Sequence, residues 1–318
     1  MTTTSLSRMV DRGVRVTRRA AGRARSLVGP SGDLPVVHVG TTRFSLFQPD
    51  SPSWRLTRRA DWSSAEDYAA HLFADERMEP RCDIFCNLAA PLYQEMAARH
   101  DYRHMVRYSP DLPQRWKDRL QEAARANPVL WLVEVGDGTP DVKAMLTDHL
   151  RERVGRRDAM AFVFRVDDDD LLSNDFLDQV EPYVRPHHHD YAVSFSSGFA
   201  GLYEHGRYTR VAQLQLPMSS MGQGAVGTWR GRDGALSLRT ISNHARTDRQ
   251  RTVVLDGRRP TFLQTRHVGQ DTAVGEKDPL DAESARARIV QRFERLRQVE
   301  DTNVLRERFP TVVGRLEA

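Results

Sequence analysis

The stretch Ala161-Phe162-Val163-Phe164-Arg165-Val166-Asp167-Asp168-Asp169-Asp170 decides how this chain is read. Its first half is a nearly continuous apolar run, the pattern of a strand buried on both faces. Its second half is four adjacent carboxylates, which repel one another and which nothing in folding requires. An isolated acidic run is ordinarily a solvated loop. This one ends a hydrophobic strand, and in open α/β sheets ligands bind at the carboxyl ends of strands. Oxygen donors on a tight turn suit a hard divalent cation, Mg²⁺ or Mn²⁺, which completes its shell with water and substrate phosphates.

Working outward, strands alternate with helices. Val36–Val39 reads as a first strand, 65–100 as helices with breaks, and Met105–Tyr108 as a strand ended by Ser109-Pro110-Asp111-Leu112-Pro113. Gln114–Ala126 and Val142–Val154 read as helices on either side of a strand at Val129–Val135. Beyond residue 190, Tyr191–Phe195, Tyr208–Leu216 and Thr252–Leu255 read as strands. Asp281–Phe309 reads as the longest charged helix. The predicted fold class is α/β: a mostly parallel central sheet flanked by helices, with a mixed C-terminal part. Residues 33–318 form one expected domain, with a nucleotide and metal half over about 33–190 and an acceptor half over about 191–318.

Charge separates the arm from this body. The 318 residues carry 47 Lys+Arg against 43 Asp+Glu, a net of +4. Residues 1–30 hold seven arginines and one acid, a net of +6, so the rest carries −2. The pI near 9.2 therefore does not describe a broadly basic nucleic-acid-binding body. Residues 1–32 read as a basic arm, amphipathic or disordered, and residues 1–30 can lie on an anionic membrane surface. No apolar run spans a bilayer, and the expected location is cytoplasmic, peripheral at the inner face of the membrane. Cys82 and Cys86 read as ordinary reduced thiols.

The order of motifs adds a resemblance. Strand–Asp-x-Asp-Asp, then an apolar pair, then Asp175-Phe176-Leu177 resembles the metal and nucleotide-diphosphate motif of GT-A-fold glycosyltransferases. The segments Leu72 to Arg81, Tyr108 to Pro113 and Thr261 to His267 are similar to a bacterial rhamnosyltransferase family. The resemblance spans roughly residues 36–275. It implies a GT-A-like fold and transfer of a sugar, rhamnose among the options, from a nucleotide-sugar donor to the hydroxyl of a glycan or lipid-linked acceptor in cell-envelope synthesis. In register, Asp167 and Asp169 match the two acids of the motif and Asp170 the acid that follows. His267 matches a late histidine that contacts metal or diphosphate. The implied metal set is Asp167, Asp169, Asp170 and His267, holding Mn²⁺ or Mg²⁺. Gln270-Asp271 departs from the asparagine common in related sequences.

Arg43, Arg81 and Arg165 lie near expected strand ends, where each can pair with a phosphate oxygen or with the acid cluster itself. Ser109 and Asp111 mark a second strand end, where the resemblance implies nucleoside contacts, and Asp167 is also expected to touch ribose. Strand alternation puts Arg165 on the face of Asp167 and Asp169, so an ion pair is an equal reading. Glu204, Asp256 and Asp271 are acids after the motif from which the sequence picks no catalytic base. His187-His188-His189 reads as a solvated turn, and Gly222–Gly227 as a flexible acceptor-side loop. Two further readings stand beside the transferase: a metal-dependent phosphohydrolase, and a non-catalytic binding protein with a degenerate transferase fold.

Overall fold

The computed structural model describes residues 34–48, 64–241, 243–270, 282–299 and 302–317. The basic arm and Asp271 lie outside the described residues.

Four parallel strands form the centre: β1 (Val36–Arg43), β2 (Tyr102–Tyr108), β3 (Leu130–Glu134) and β4 (Ala159–Arg165). They lie in the order β3-β2-β1-β4. Helices connect them: α1 (Ala65–Leu72), α2 (Asp75–Asp83) continued through a π turn (Ile84–Ala89) into α3 (Ala90–Ala97), then α4 (Gln114–Ala126) and α5 (Val142–Val154). This is the parallel sheet with crossover helices that the alternation requires. After β4 come β5 (Leu171–Leu172), α6 (Phe176–Val180), β6 (Ala192–Phe195), β7 (Ser197–Glu204), β8 (Arg207–Gln215), β9 (Gly224–Arg230), β10 (Ala235–Ser237), β11 (Val253–Asp256) and β12 (Phe262–Arg266). Strand β9 runs antiparallel between β4 and β6, β11 extends the edge beside β6, and β10 pairs with β9. A second sheet has the order β5-β12-β7-β8. The α/β class with a mostly parallel main sheet and mixed C-terminal part is therefore observed.

The two faces of the main sheet bury different chemistry. Val37, Val39, Ala161 and Val163 meet Leu146, Leu150 and Val154 of α5 in an aliphatic layer. Period-two alternation sends their neighbours to the other face. There Phe162, Phe164, Tyr102 and His104 pack with Phe85, Tyr93 and Phe176, the Tyr93 and His104 rings stacking at 4.2 Å between centroids. Thr42 donates its hydroxyl to the Val166 carbonyl at 3.0 Å, so toward His104 Nε2 at 2.8 Å it accepts. His104 Nδ1 is then bare and accepts from the Tyr102 hydroxyl at 2.6 Å. The neutral ring is fully satisfied, and burial pushes its pKa down to about 3.

Two expectations change. Gly222–Gly227 is not a loop: from Gly224 it is the start of β9. A Cβ on Gly224 would lie 2.3 Å from Phe162 Cζ, so glycine is what lets β9 lie beside the aromatic layer. The long helix over 281–309 is broken into α7 (Ala282–Phe293), α8 (Asn303–Arg308) and, just beyond, α9 (Pro310–Val313). The break has a cause: the chain between α7 and α8 pairs with the edge of β8, through Gln213 N to Arg297 O at 2.8 Å and Val299 N to Val211 O at 3.1 Å. The Gln298 amide caps α7 by donating to Phe293 O at 2.8 Å. The histidine run behaves as a turn, with Pro186–His188 in one 3₁₀ turn. The cysteines are free and buried, their sulfurs 3.7 Å apart.

The lowered pKa of His104 has a measurable consequence. A histidine that folding keeps neutral contributes stability present above its unfolded pKa of about 6.5 and lost as pH falls toward the folded value. Urea unfolding between pH 7.5 and 4.5 is expected to show a steeper loss of stability below about pH 6.5 in the wild type than in His104→Gln. Equal slopes would contradict the buried neutral imidazole.

Candidate active site

The acidic run is the turn that leaves β4, closed by Asp170 N to Asp167 O at 3.3 Å. It is not solvated. Asp168, Asp169 and Asp170 are 3%, 6% and 5% exposed, whereas the Asp167 side chain is 43% exposed. Burying three adjacent carboxylates requires partners, and α2 supplies them. Arg77 and Arg81 are four residues apart, hence on one helix face. The Arg81 guanidinium bonds Asp168 with one nitrogen and Asp169 with the other, the latter at 3.0 Å. Arg77 donates to Ser45 Oγ at 2.9 Å, and Ser45, in the left-handed region at φ 41°, donates its backbone N–H to Asp168 at 2.8 Å.

Each acid has a different environment. Burial pushes Asp168 up, against the pull of Arg81. Burial would also raise Asp169, but Arg81, His267 and Gln270 together hold it below the usual carboxylate range. Asp170 is pushed well above that range by burial and by the charges of Asp169 and Asp167. Its Oδ1 accepts the Thr265 N–H at 3.0 Å, which fixes β12 of the second sheet to the end of β4.

Strand β12 delivers His267, whose Nε2 lies 3.3 Å from Asp169 Oδ2. Burial keeps the ring below its usual pKa, hence neutral, although Asp169 pulls the other way. The chain then turns so that Gln270 Nε2 donates to the same Asp169 oxygen at 3.1 Å. That turn passes tightly under α2: a Cβ on Gly269 would lie 2.9 Å from Glu76 O.

On the opposite sheet face a second group assembles. Arg43 on β1 is in register with Arg107 on β2, and Arg165 on β4 is beside Thr41. Alternation puts all three on one face at the carboxyl ends of adjacent strands. Burial, then the neighbouring Arg165, lower Arg43; burial lowers Arg107. Arg107 Nε is buried with no hydrogen-bond partner among the described residues. Asp167 borders this group, 3.6 Å from Arg165 and accepting from Ser220 at 3.3 Å. The pair of Arg165 with Asp167 is as alternation implies, but Asp169 is not on that face, because the chain turns between them.

The remaining expected residues fall as follows. Ser109 is buried and accepts the Phe47 N–H at 2.6 Å, latching the chain that leaves β1. Asp111 is exposed beside it. Glu204 is paired with Arg286 and held below its usual range against the effect of burial. Arg258 does the same to Asp256, with Tyr183 donating at 2.7 Å. Asp168, Arg77, Arg107, Ser45 and Gln270 contact or border the site, although the sequence reading gave none of them a role in it. Arg77 and Arg107 carried a signal: one is four residues before Arg81, the other on the strand paired with that of Arg43.

Carboxylate oxygens and a neutral imidazole are donors that fit a hard or borderline divalent cation. Gln270 Oε1 and His267 Nδ1, buried beside Asp169, have no partners among the described residues. The four expected ligands do not converge as a set. Asp169 and His267 are brought together, Asp170 is turned to β12 and Asp167 to the arginine face. Among the described residues, three ligand atoms come within 4.8 Å of one another only at His38, His100 and Glu181.

A family model described as "Putative rhamnosyl transferase" matches residues 37–276. The chain belongs to that family. No curated protein matches. Among solved structures, S. aureus TarS 1-349 is similar at 10% identity and a TM-score of 0.30, over 73% of this chain and 60% of that one. The same TarS fragment in complex with UDP gives 10% and 0.32, over 74% and 61%. This chain thus spans about three-fifths of that structure's length.

The Arg81 clamp yields a stability prediction. Arg81→Met strands two buried carboxylates and is expected to cost about 3–5 kcal/mol in urea unfolding at pH 7. A loss below about 1 kcal/mol, the range of an exposed pair, would contradict the clamp.

Proposed function

We propose that this chain transfers a sugar from a nucleotide-sugar donor to an acceptor hydroxyl, assisted by Mn²⁺ or Mg²⁺. The observation that carries this reading is the cluster of Arg43, Arg107 and Arg165. Arg107, whose Nε is buried with no partner among the described residues, sits beside Arg43 and Arg165 at adjacent strand ends, and a diphosphate supplies oxygens for such a donor. Asp169 and His267 would hold the cation, and Asp167, on the arginine face, would contact ribose. When bound, such a cation neutralises the charge that develops on a diphosphate leaving group. The arginines orient the same group, and water is excluded by the buried acid turn behind it.

The acceptor is proposed to enter the cavity of about 290 Å³ lined by Gln264, Arg266, Gln270, Arg292 and Phe293, which borders the Asp169 contact. Its mix of arginine and apolar wall suits a glycan or lipid-linked acceptor. Rhamnose is the first sugar to test because of the family description. No described helix is long and apolar enough to cross a membrane. Membrane contact is therefore proposed only for residues 1–30, on their net +6, with the cytoplasmic, inner-face location that this implies. Equal binding to anionic vesicles by chains with and without those residues would remove it.

One observation favours a second reading. Arg81 already neutralises Asp168 and Asp169, as it would in a non-catalytic binding protein with a degenerate transferase fold. The phosphohydrolase reading has no comparable support.

Release of nucleoside diphosphate from a panel of nucleotide sugars, nucleotide-linked rhamnose first, with Mn²⁺ and glycan acceptors, separates these. Asp169→Asn is expected to lower kcat by about 10²–10³, the loss for removing one transition-state stabiliser. Arg107→Gln is expected to raise KM mainly. Donor binding with no turnover by the wild type supports the binding protein, and unchanged turnover in Asp169→Asn sinks the metal-assisted reading.

A further inference from the structure

A second cluster lies toward the opposite end of the parallel sheet and takes no part in the site above. His38 is the third residue of β1, His100 lies in the turn before β2, and Glu181 follows α6 directly. Register pairs His38 with Phe162, five residues before Asp167, so along the strands the two places are about 16 Å apart at 3.3 Å per residue. Three segments distant in sequence converge here, His38 and Glu181 being 143 residues apart.

The geometry is that of ligand atoms around one centre. His38 Nε2 is 3.2 Å and His100 Nδ1 3.8 Å from the same Glu181 oxygen. The two rings meet edge to face at 5.4 Å, 87° apart. Bonds of about 2.0–2.1 Å in a tetrahedron separate ligand atoms by about 3.3 Å, close to both values. The outer partner is also present. The other nitrogen of His100, Nε2, lies 2.9 Å from Asp178, and Asp178 is braced by Arg99 at 3.0 Å. A carboxylate on the far nitrogen of a ligating histidine fixes its tautomer and orientation. Exposure rises from 1% at His38 through 12% at His100 to 36% at Glu181. One side of the centre is thus walled by the core, and the other is open to a water ligand.

We propose that His38, His100 and Glu181 form a binding site for a borderline divalent ion of the zinc class, with water as fourth ligand and Asp178 orienting His100. Two imidazoles with one carboxylate select such an ion over Mg²⁺ or Ca²⁺, which take oxygen shells. The site staples β1 to the turn before β2 and to the end of α6. Binding displaces the ring proton of His38 from Nε2 to Nδ1, which has no partner among the described residues. The affinity is therefore expected to be lower than that of a site whose ligands are all braced. Burial already holds His38 below its usual pKa, so a lone pair is available at neutral pH.

The inference does not depend on glycosyl transfer, and its test keeps the two sites apart. The chelator-treated full chain is titrated with Co²⁺ and then Zn²⁺, reading the visible bands of low-coordinate Co²⁺ and the thermal midpoint. His100→Gln and Glu181→Gln, both at the open side, are compared with Asp169→Asn. The expected result is one Co²⁺ per chain, displaced by Zn²⁺, and a Zn²⁺-dependent rise in Tm. Asp169→Asn retains these signals, and each of the other two variants weakens binding at least tenfold and abolishes the rise. Absence of the bands in the wild type, or their persistence unchanged in both His100→Gln and Glu181→Gln, overturns the proposal.

Discussion

One guanidinium shared by two buried carboxylates organises the active end of this molecule. Arg81 reaches from α2 to Asp168 and Asp169, which the apolar β4 strand drives into the interior. Without that cation the turn leaving β4 would have to open to water or take up protons. With it, Asp170 is free to meet the backbone of β12, and the second sheet is aligned on the first. Position follows from charge: His267 and Gln270 reach Asp169 because β12 is held where Asp170 puts it. Arg81 is the one cation that bonds two of the buried acids at once, and the neighbouring N–H donors complete their partners.

The same strand ends divide opposite charges between two faces. One carries the clamped acids, the other Arg43, Arg107 and Arg165 with Asp167 at the boundary. The acids on the first face already have an arginine partner in Arg81. Asp167 is the exposed acid of the four, and it lies on the arginine face, 3.6 Å from Arg165.

Much of this was legible in the chain. The helices 114–126 and 142–154 are found with the expected bounds, because their apolar spacing and flanking breakers agree. The strand before the four acids is found where the apolar run places it, and Arg81 meets the acid cluster, one of the two partners its position offered. What the sequence concealed was mostly direction. Four adjacent acids look alike in a sequence, and only the turn after Asp167 makes one exposed and three buried. Strand β7, with Ser197, Gly198, Ala200 and Gly201, lacks the alternation that marks a strand, since its small residues admit the rings of Phe262 and Tyr208. The helix over 281–309 failed because edge pairing with β8 is a long-range effect. Gln270 was read as a departure from a family pattern, and it is a donor to Asp169.

The central claim is that Arg81 acts on the aspartate turn through a direct, buried charge contact. A double-mutant cycle on Arg81→Met and Asp168→Asn, read by urea unfolding at pH 7 without metal, measures that contact. The account predicts a coupling of at least about 1 kcal/mol, with the double variant less destabilised than the sum of the single ones. Additivity within about 0.5 kcal/mol would contradict it.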